Sequence, residues 1–195
     1  MFIIGGTGME IQQLETEHYI LRALSISDAP ALFEVMKDKE TMKYITPHPP
    51  ESLEKVEERI YRHLEGFQKK TEIPWAIVDK NRGKVIGMFC FHKVHQWHRK
   101  AEMGVILHKD YQNRGVMTEL MPTILNYGFQ VLDFNRIVGD IFTANIASQK
   151  LLEKFSFQKE GVFRETDFDG ERFHDTAVYS LLKKEYVQLL NQKKI

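Results

Sequence analysis

Residues 101–143 run strand, glycine loop, helix, strand without a break, and this succession constrains the fold more than any other part of the chain. AEMGVIL at 101–107 is a short apolar run suited to a strand. The loop HKDYQNRG follows. After it Met117, Leu120, Met121, Ile124, Leu125 and Gly128 recur at helical spacing, forming one core-facing stripe. Residues 136–143 read as the next strand. A strand–helix–strand unit closes as a crossover, so the two strands are expected to lie parallel in one sheet. Pro122 removes a backbone donor inside the helix and predicts a local kink.

The flanking segments extend the same pattern. Residues 16–24 alternate apolar and polar like a strand, and Ser27 and Asp28 offer N-cap chemistry to a helix carrying Ala31, Leu32, Val35 and Met36. Pro47, Pro49 and Pro50 force a loop over 46–50. Ser52 opens a charged amphipathic helix with Leu53, Val56, Ile60, Leu64 and Phe67 on one side. Strands are expected at 75–78 and 85–94 around the turn 79–83, and a helix at 145–155. A final hairpin pairs 161–168 with 173–182 across Asp169-Gly170. The fold class is α/β, a mixed sheet with a late parallel crossover. Residues 1–13 read as a flexible leader, 14–186 as a single domain, and 187–195 as a basic-ended, solvated tail.

Composition narrows the function. At 195 residues the chain fits one domain, and its 27 Lys plus Arg balance 27 Asp plus Glu. That zero net charge lacks the electrostatic footprint of a general nucleic-acid or membrane-surface binder. No apolar run approaches the roughly 20 residues of a membrane helix. MFIIGGTGME lacks the basic start of an export signal, and the single Cys90 cannot form an internal disulfide, so a cytoplasmic protein is expected.

The chemistry concentrates at the loop. A strand, a glycine and a helix N-terminus bring unpaired N–H groups and the positive end of a helix dipole to one point, suited to a phosphate or pyrophosphate. Arg114 would add a charge-assisted contact. The competing reading of Gly115 is ordinary turn chemistry. No Gly-Lys-Ser/Thr follows, so this is not a Walker loop. Gly5-Gly6-Thr7-Gly8 lacks the last spaced glycine and the acidic partner of a dinucleotide fingerprint.

About thirty residues on comes NIASQKLLEKFSFQKEG. Together, AEMGVIL, YQNRGVMTEL and this segment resemble the GNAT superfamily of acetyl-CoA-dependent N-acetyltransferases, and within it the ribosomal-protein (RimJ/RimL-type) branch. The resemblance spans about Leu14 to Lys184. It implies a GNAT-like fold: a twisted, mostly antiparallel sheet of six to seven strands with splayed parallel strands and flanking helices. It implies direct acetyl transfer from acetyl-CoA to a primary amine of a protein N-terminus or small molecule, and it admits a homodimer. The family's pyrophosphate loop falls on Gln112, Asn113, Arg114, Gly115, Val116 and Met117, with Met117 where Gly or Ala is preferred. Val105, Ile106 and Leu107 would pair with the pantetheine arm, the backbone near Leu107 would polarise the thioester carbonyl, and Asn145 would bond pantetheine.

The resemblance also bears on proton transfer. An amine acceptor is mostly protonated at neutral pH, so a base is needed. Glu102, on the thioester-binding strand, is the candidate; the alternative is an ion pair with Lys100 or Arg99. Leu152 stands where many members carry a tyrosine acid. Ser148 is the candidate proton donor to the leaving thiolate; its alternative is a first-turn helix residue behind an Asn145 cap. Ser156 stands where the family usually has Gly before Phe157, suggesting a less favourable turn. Leu152 and Met117 motivate a rival reading, a coenzyme-binding sensor that has lost transfer.

The remaining groups read as structural. His92, His95 and His98 invite a metal, but nothing is spaced to complete a tetrahedral set. Trp75 and Trp97 read as packing or rim aromatics, and Cys90 as a buried thiol. Phe33, Tyr44, Ile45 and loop 46–50 occupy the region that covers the acceptor pocket in similar proteins.

Overall fold

Alternating apolar residues on both faces of the strands require cover on each side of the sheet, and the helices supply it. A computed structural model of the chain describes residues 10–192. The strands are β1 (Leu14–Glu15), β2 (Tyr19–Ala23), β3 (Ile73–Asp79), β4 (Lys84–His95), β5 (Lys100–Leu107), β6 (Arg136–Phe142), β7 (Gln158–Phe168) and β8 (Phe173–Leu182). The helices are α1 (Ala29–Met36), α2 (Lys39–Met42), α3 (Leu53–Gln68), α4 (Val116–Asn126), α5 (Ile146–Lys154) and α6 (Lys183–Asn191). One sheet of eight strands has the order β1-β2-β3-β4-β5-β6-β8-β7. Every neighbouring pair is antiparallel except β5 and β6. The strand beyond the expected six to seven is β1, whose two residues are too few to leave an alternation.

One face carries Trp75, Phe89, Phe91, Leu120, Ile124, Phe129 and Tyr186 beneath α4 and α6. The other carries Leu32, Met36, Met42, Ile60, Ala76, Met88 and Cys90 beneath α1, α2 and α3. Full burial of each large apolar side chain contributes about 1.5–3 kcal/mol. The long helix runs through Pro122 to Asn126 and then widens into a π turn at Tyr127–Val131.

Local chemistry departs from expectation in several places. Ser25, not Ser27, caps the turn into α1. The Asp28 carboxylate accepts from the Ser25 N–H at 2.9 Å and forks onto Arg22. β2 starts at Tyr19 because Thr16 turns back on it: the Thr16 N–H donates to the Tyr19 carbonyl at 2.9 Å. In the stretch expected to be a leader, Ile11 packs on the core and the Gln12 carbonyl accepts from the Trp75 indole at 2.9 Å. Gly5-Gly6-Thr7-Gly8 lies outside the described residues. The last helix is anchored by Tyr186, at the end of the expected domain: it is 2% exposed and its ring stacks on Phe129 at 4.8 Å, and Leu189 beyond it packs on the same core.

Candidate active site

Parallel pairing between β5 and β6 lasts three residues: Lys100 with Arg136, Ala101 with Ile137, Glu102 with Val138. Beyond them the strands diverge. The Arg99 carbonyl accepts from Asn135 and Arg136, so by alternation the main-chain groups of Ala101, Met103, Val105 and Leu107 face β6. The His108 N–H donates to Ile86 at 2.8 Å, which fixes the opposite phase toward β4. Once β6 has left, Val105 and Leu107 present main-chain groups to the gap. Gln112 Nε2 donates to the Leu107 carbonyl at 2.9 Å. Of the three expected residues, Ile106 behaves differently. Its carbonyl faces Gly87, where an added Cβ would lie 2.1 Å away, and its side chain packs on the sheet face of Met88 and Cys90, lining both cavities.

The loop after β5 is held from three sides. Tyr111 donates to Asp79 at 2.8 Å and accepts from Arg82 at 3.1 Å, fastening the loop to the β3–β4 turn. Gln112 also reaches Thr41 in α2 at 3.3 Å. Asn113 and Gly115 both take positive φ, 56° and 81°, and Gly115 ends the loop as the N-cap of α4 with no side-chain cap. An added Cβ at Gly115 would meet open space, so the glycine is there for its left-handed backbone. The first acidic residue of α4, Glu119, turns away to accept from the Thr16 hydroxyl at 2.6 Å and from His18. The first-turn amides of α4 therefore lack a side-chain cap and an opposing carboxylate.

These amides border a cavity of about 640 Å³, lined by Gln112, Asn113, Gly115, Val116 and Thr118 on one side and by Lys150 and Lys154 of α5 on the other. Among the described residues neither lysine has a carboxylate partner, whereas Lys43 on the same cavity pairs with Glu40 at 2.8 Å. Arg114 is exposed and does not line the cavity. Asn145 caps α5, accepting from the Ser148 N–H at 3.2 Å through Oδ1, which leaves its side-chain NH₂ free. At the other end of α5, the Phe157 N–H reaches Leu152 and the Ser156 N–H reaches Glu153. This is a Schellman closure, with Ser156 at φ 63°.

A second cavity, of about 530 Å³, adjoins the first, and Tyr44, Ile45, Val105, Ile106, Met117, Asn145 and Ser148 line both. Tyr44 holds this waist by donating to the Ala144 carbonyl at 3.2 Å. Leu152, which the resemblance sets where a tyrosine would stand, is buried over Gly139 at the wall of the second cavity. The charged and polar groups of that otherwise apolar wall come from four distant segments: Arg59, Arg62 and His63 of α3, Glu72 before β3, Cys90 and His92 of β4, and Asp140 of β6.

His63 Nδ1–H donates to Glu72 at 2.5 Å, and the Cys90 thiol lies 3.8 Å from the same oxygen. Burial pushes the Glu72 carboxyl up, but the His63 contact outweighs it and the net shift is down. Burial, and then Glu72, hold the Cys90 thiol well above its ordinary value. This trio is the one group of metal-ligand type among the described residues. Its atoms sit at hydrogen-bond spacing around a protonated thiol, which suits mutual hydrogen bonding better than a tetrahedral ion. His92, His95 and His98 form no such group; His95 and His98 stack at 4.2 Å while His92 faces the cavity.

Glu102 lines neither cavity. Its carboxylate pairs with Lys93 at 2.7 Å, not with Lys100 or Arg99, and lies 3.9 Å from His92 Nδ1. Burial lowers the His92 pKa, partly offset by Glu102. Burial, and then Glu102, raise that of Asp140.

A family model described as the acetyltransferase (GNAT) domain matches residues 18–158, well over half of the chain. The chain is a GNAT acetyltransferase. It is 35% identical over 170 residues to the uncharacterized N-acetyltransferase YoaA of Bacillus subtilis, covering 87% of this chain and 96% of the relative. Its fold matches a spermidine N-acetyltransferase from Vibrio cholerae, solved in complex with CoA and spermine, with a TM-score of 0.78 at 24% identity. That match covers 87% of this chain and 98% of the other. It also matches a ribosomal-protein-S5-alanine acetyltransferase from Vibrio fischeri, with a TM-score of 0.79 at 21% identity, covering 90% and 98%.

Ten of the twelve site residues expected from sequence surround the joined cavities or the gap beside them; Glu102 and Arg114 do not line them. Sequence reasoning missed Lys150 and Lys154, a basic i, i+4 pair, and the trio Arg59, Arg62, His63 at i, i+3, i+4 beside the apolar stripe of α3. No helix among the described residues is long and apolar enough to cross a membrane.

Proposed function

We propose that this N-acetyltransferase passes the acetyl group of acetyl-CoA directly to a primary amine of a protein N-terminus or a small molecule. The observation that carries the reading is the meeting of two cavities at the gap between β5 and β6, where β5 backbone no longer paired with β6 faces inward. Acetyl-CoA supplies an acyl group activated as a thioester. The uncapped amides of α4, with Lys150 and Lys154 opposite, suit its pyrophosphate. The Val105 and Leu107 backbone and the free Asn145 amide suit the pantetheine arm, and a Leu107-side N–H stabilises negative charge on the carbonyl oxygen. The amine nitrogen attacks the carbonyl carbon, the C–N bond forms as the C–S bond breaks, and the Ser148 hydroxyl passes its proton to the thiolate and regains one from solvent.

The proton of the amine leaves by the β4 wall. Glu102 does not line the second cavity but lies 3.9 Å from His92 Nδ1, and burial favours the neutral form of His92, which can accept a proton. Glu102 then acts as the group that balances the charge on His92.

Titration calorimetry with acetyl-CoA, with NAD as control, tests the reading. Stoichiometric micromolar binding of acetyl-CoA alone, with thiol release when an amine is added, is expected. Absence of binding would overturn it. Binding without turnover on any amine would favour the coenzyme-sensing alternative that Leu152 suggests.

A further inference from the structure

The second cavity carries charge of both signs, and among the described residues Asp140, Arg59 and Arg62 on its wall hold no oppositely charged partner. Glu72 already receives His63 and the Cys90 thiol. Arg22, Arg99, Arg136 and Arg172 each hold a carboxylate. Arg59 and Arg62 line the cavity three residues apart, on one face of α3, and hold none among the described residues. Arg59 is half-buried, and desolvation followed by the charge of Arg62 lowers its guanidinium pKa. Arg62 is exposed, and its charge, one turn from the half-buried Arg59, repels it; a bound anion relieves that repulsion. Guanidinium forks match the paired oxygens of a carboxylate or phosphate. The α4 amides, suited to coenzyme phosphates, line the other cavity, so an anion at this wall belongs to the acceptor.

We propose that Arg59 and Arg62 form an anion subsite, so that the amine acetylated here carries a carboxylate or phosphate group. This rests on the direct-transfer reading above for the role of the cavity. Polyamines, which carry several positive charges and no anion, are disfavoured by the same pair.

The test is a panel of matched acceptors assayed by thiol release from acetyl-CoA. It sets L-alanine against L-alaninamide, alanyl-alanine against its C-terminal amide, and phosphoethanolamine against ethanolamine, with spermidine alongside. The anionic member of a pair is expected to exceed its neutral partner at least tenfold in kcat/KM, with spermidine below both. The carboxylate and phosphate pairs distinguish the two anions. Arg59→Gln and Arg62→Gln are expected to raise KM for the anionic acceptor about tenfold, leaving the neutral partner and the KM for acetyl-CoA unchanged. Equal use of neutral partners, preference for spermidine, or an equal loss on every amine would overturn the subsite. A second readout is independent of transfer: thermal shift of the coenzyme-free protein with N-acetyl-L-alanine and with inorganic phosphate. A shift abolished by Arg59→Gln supports the subsite even where turnover is absent. No shift from either probe, with no anionic preference in turnover, overturns it while leaving coenzyme binding intact.

Discussion

The two cavities that meet at the β5–β6 gap are built in different ways. The side proposed for the coenzyme is made largely from two contiguous stretches, 105–118 and 145–154, and its donors are mostly backbone amides set by local conformation: a glycine in the left-handed region, an uncapped helix start, an Asn cap. The side proposed for the acceptor is made from side chains on α3, the residue before β3, β4 and β6, brought together only when the sheet and its covering helices pack. A site made of backbone tolerates changes of side chain, which is why Met117 fits the loop where a smaller residue is preferred. A site made of convergent side chains depends on each of them.

The largest effect should fall on the acceptor side. His92→Asn is expected to lower kcat by about 10²–10⁴-fold with acetyl-CoA affinity unchanged, measured by steady-state kinetics and calorimetry. Glu102→Gln should cost less, since it acts through His92. An equal fall for both would place the proton with Glu102.

Gly87→Ala strikes the strand shared by both cavities. Its Cβ would lie 2.1 Å from the Ile106 carbonyl oxygen, so β5 must move. A loss of about 1–3 kcal/mol in chemical denaturation, accompanied by weaker acetyl-CoA binding, is expected.

On the coenzyme side, replacing Lys150 and Lys154 together by Ala should weaken acetyl-CoA binding about tenfold while the amine KM stays fixed, with the effect shrinking at high salt. Arg114→Ala should change neither. A larger effect from Arg114 would reverse the assignment of the cations.

Ser156→Gly should stabilise the chain by up to about 1 kcal/mol in the same denaturation assay, because Ser156 holds φ 63° in a closure that suits glycine. Activity should be unaffected.

The smallest effect concerns the anchor of α4 to the β1–β2 turn. The Glu119 hydrogen bond, followed by its charge, raises the His18 pKa above its ordinary 6.5. Burial raises the Glu119 carboxyl, but hydrogen bonds from Thr16 and His18 outweigh it and lower the net value below 4.5. The carboxylate's contribution is present above pH 4.5 and is lost as pH falls through its depressed folded value. The histidine's is present below pH 6.5 and is lost as pH rises through its elevated folded value. Hydrogen exchange of the β1–β2 amides should therefore be slowest, relative to the intrinsic rate, between about pH 4.5 and 6.5, and Glu119→Gln should flatten that profile.

Much of this was legible in the chain. The stripe Met117 to Gly128, the crossover it implies, the Asp169-Gly170 hairpin and the loop 112–117 all carry periodicity or turn chemistry within a few residues. What was not legible lacks such a signal. α2 has four residues, too few for a period, yet it holds Thr41 against Gln112 and leads to Tyr44 at the waist. Tyr186 sits in a basic-ended segment whose polarity hides one core residue.

The sequence by itself determined the elements, the parallel crossover and the phosphate-type loop, because backbone conformation and helix ends are set by near neighbours. Only the tertiary structure decided how soon β5 and β6 part, which lysines face the loop, and that Glu102 turns to Lys93. It alone set Arg59, Arg62, His92 and Asp140 around one cavity. Those are matters of where side chains converge across a packed sheet, and no spacing along a single chain encodes them.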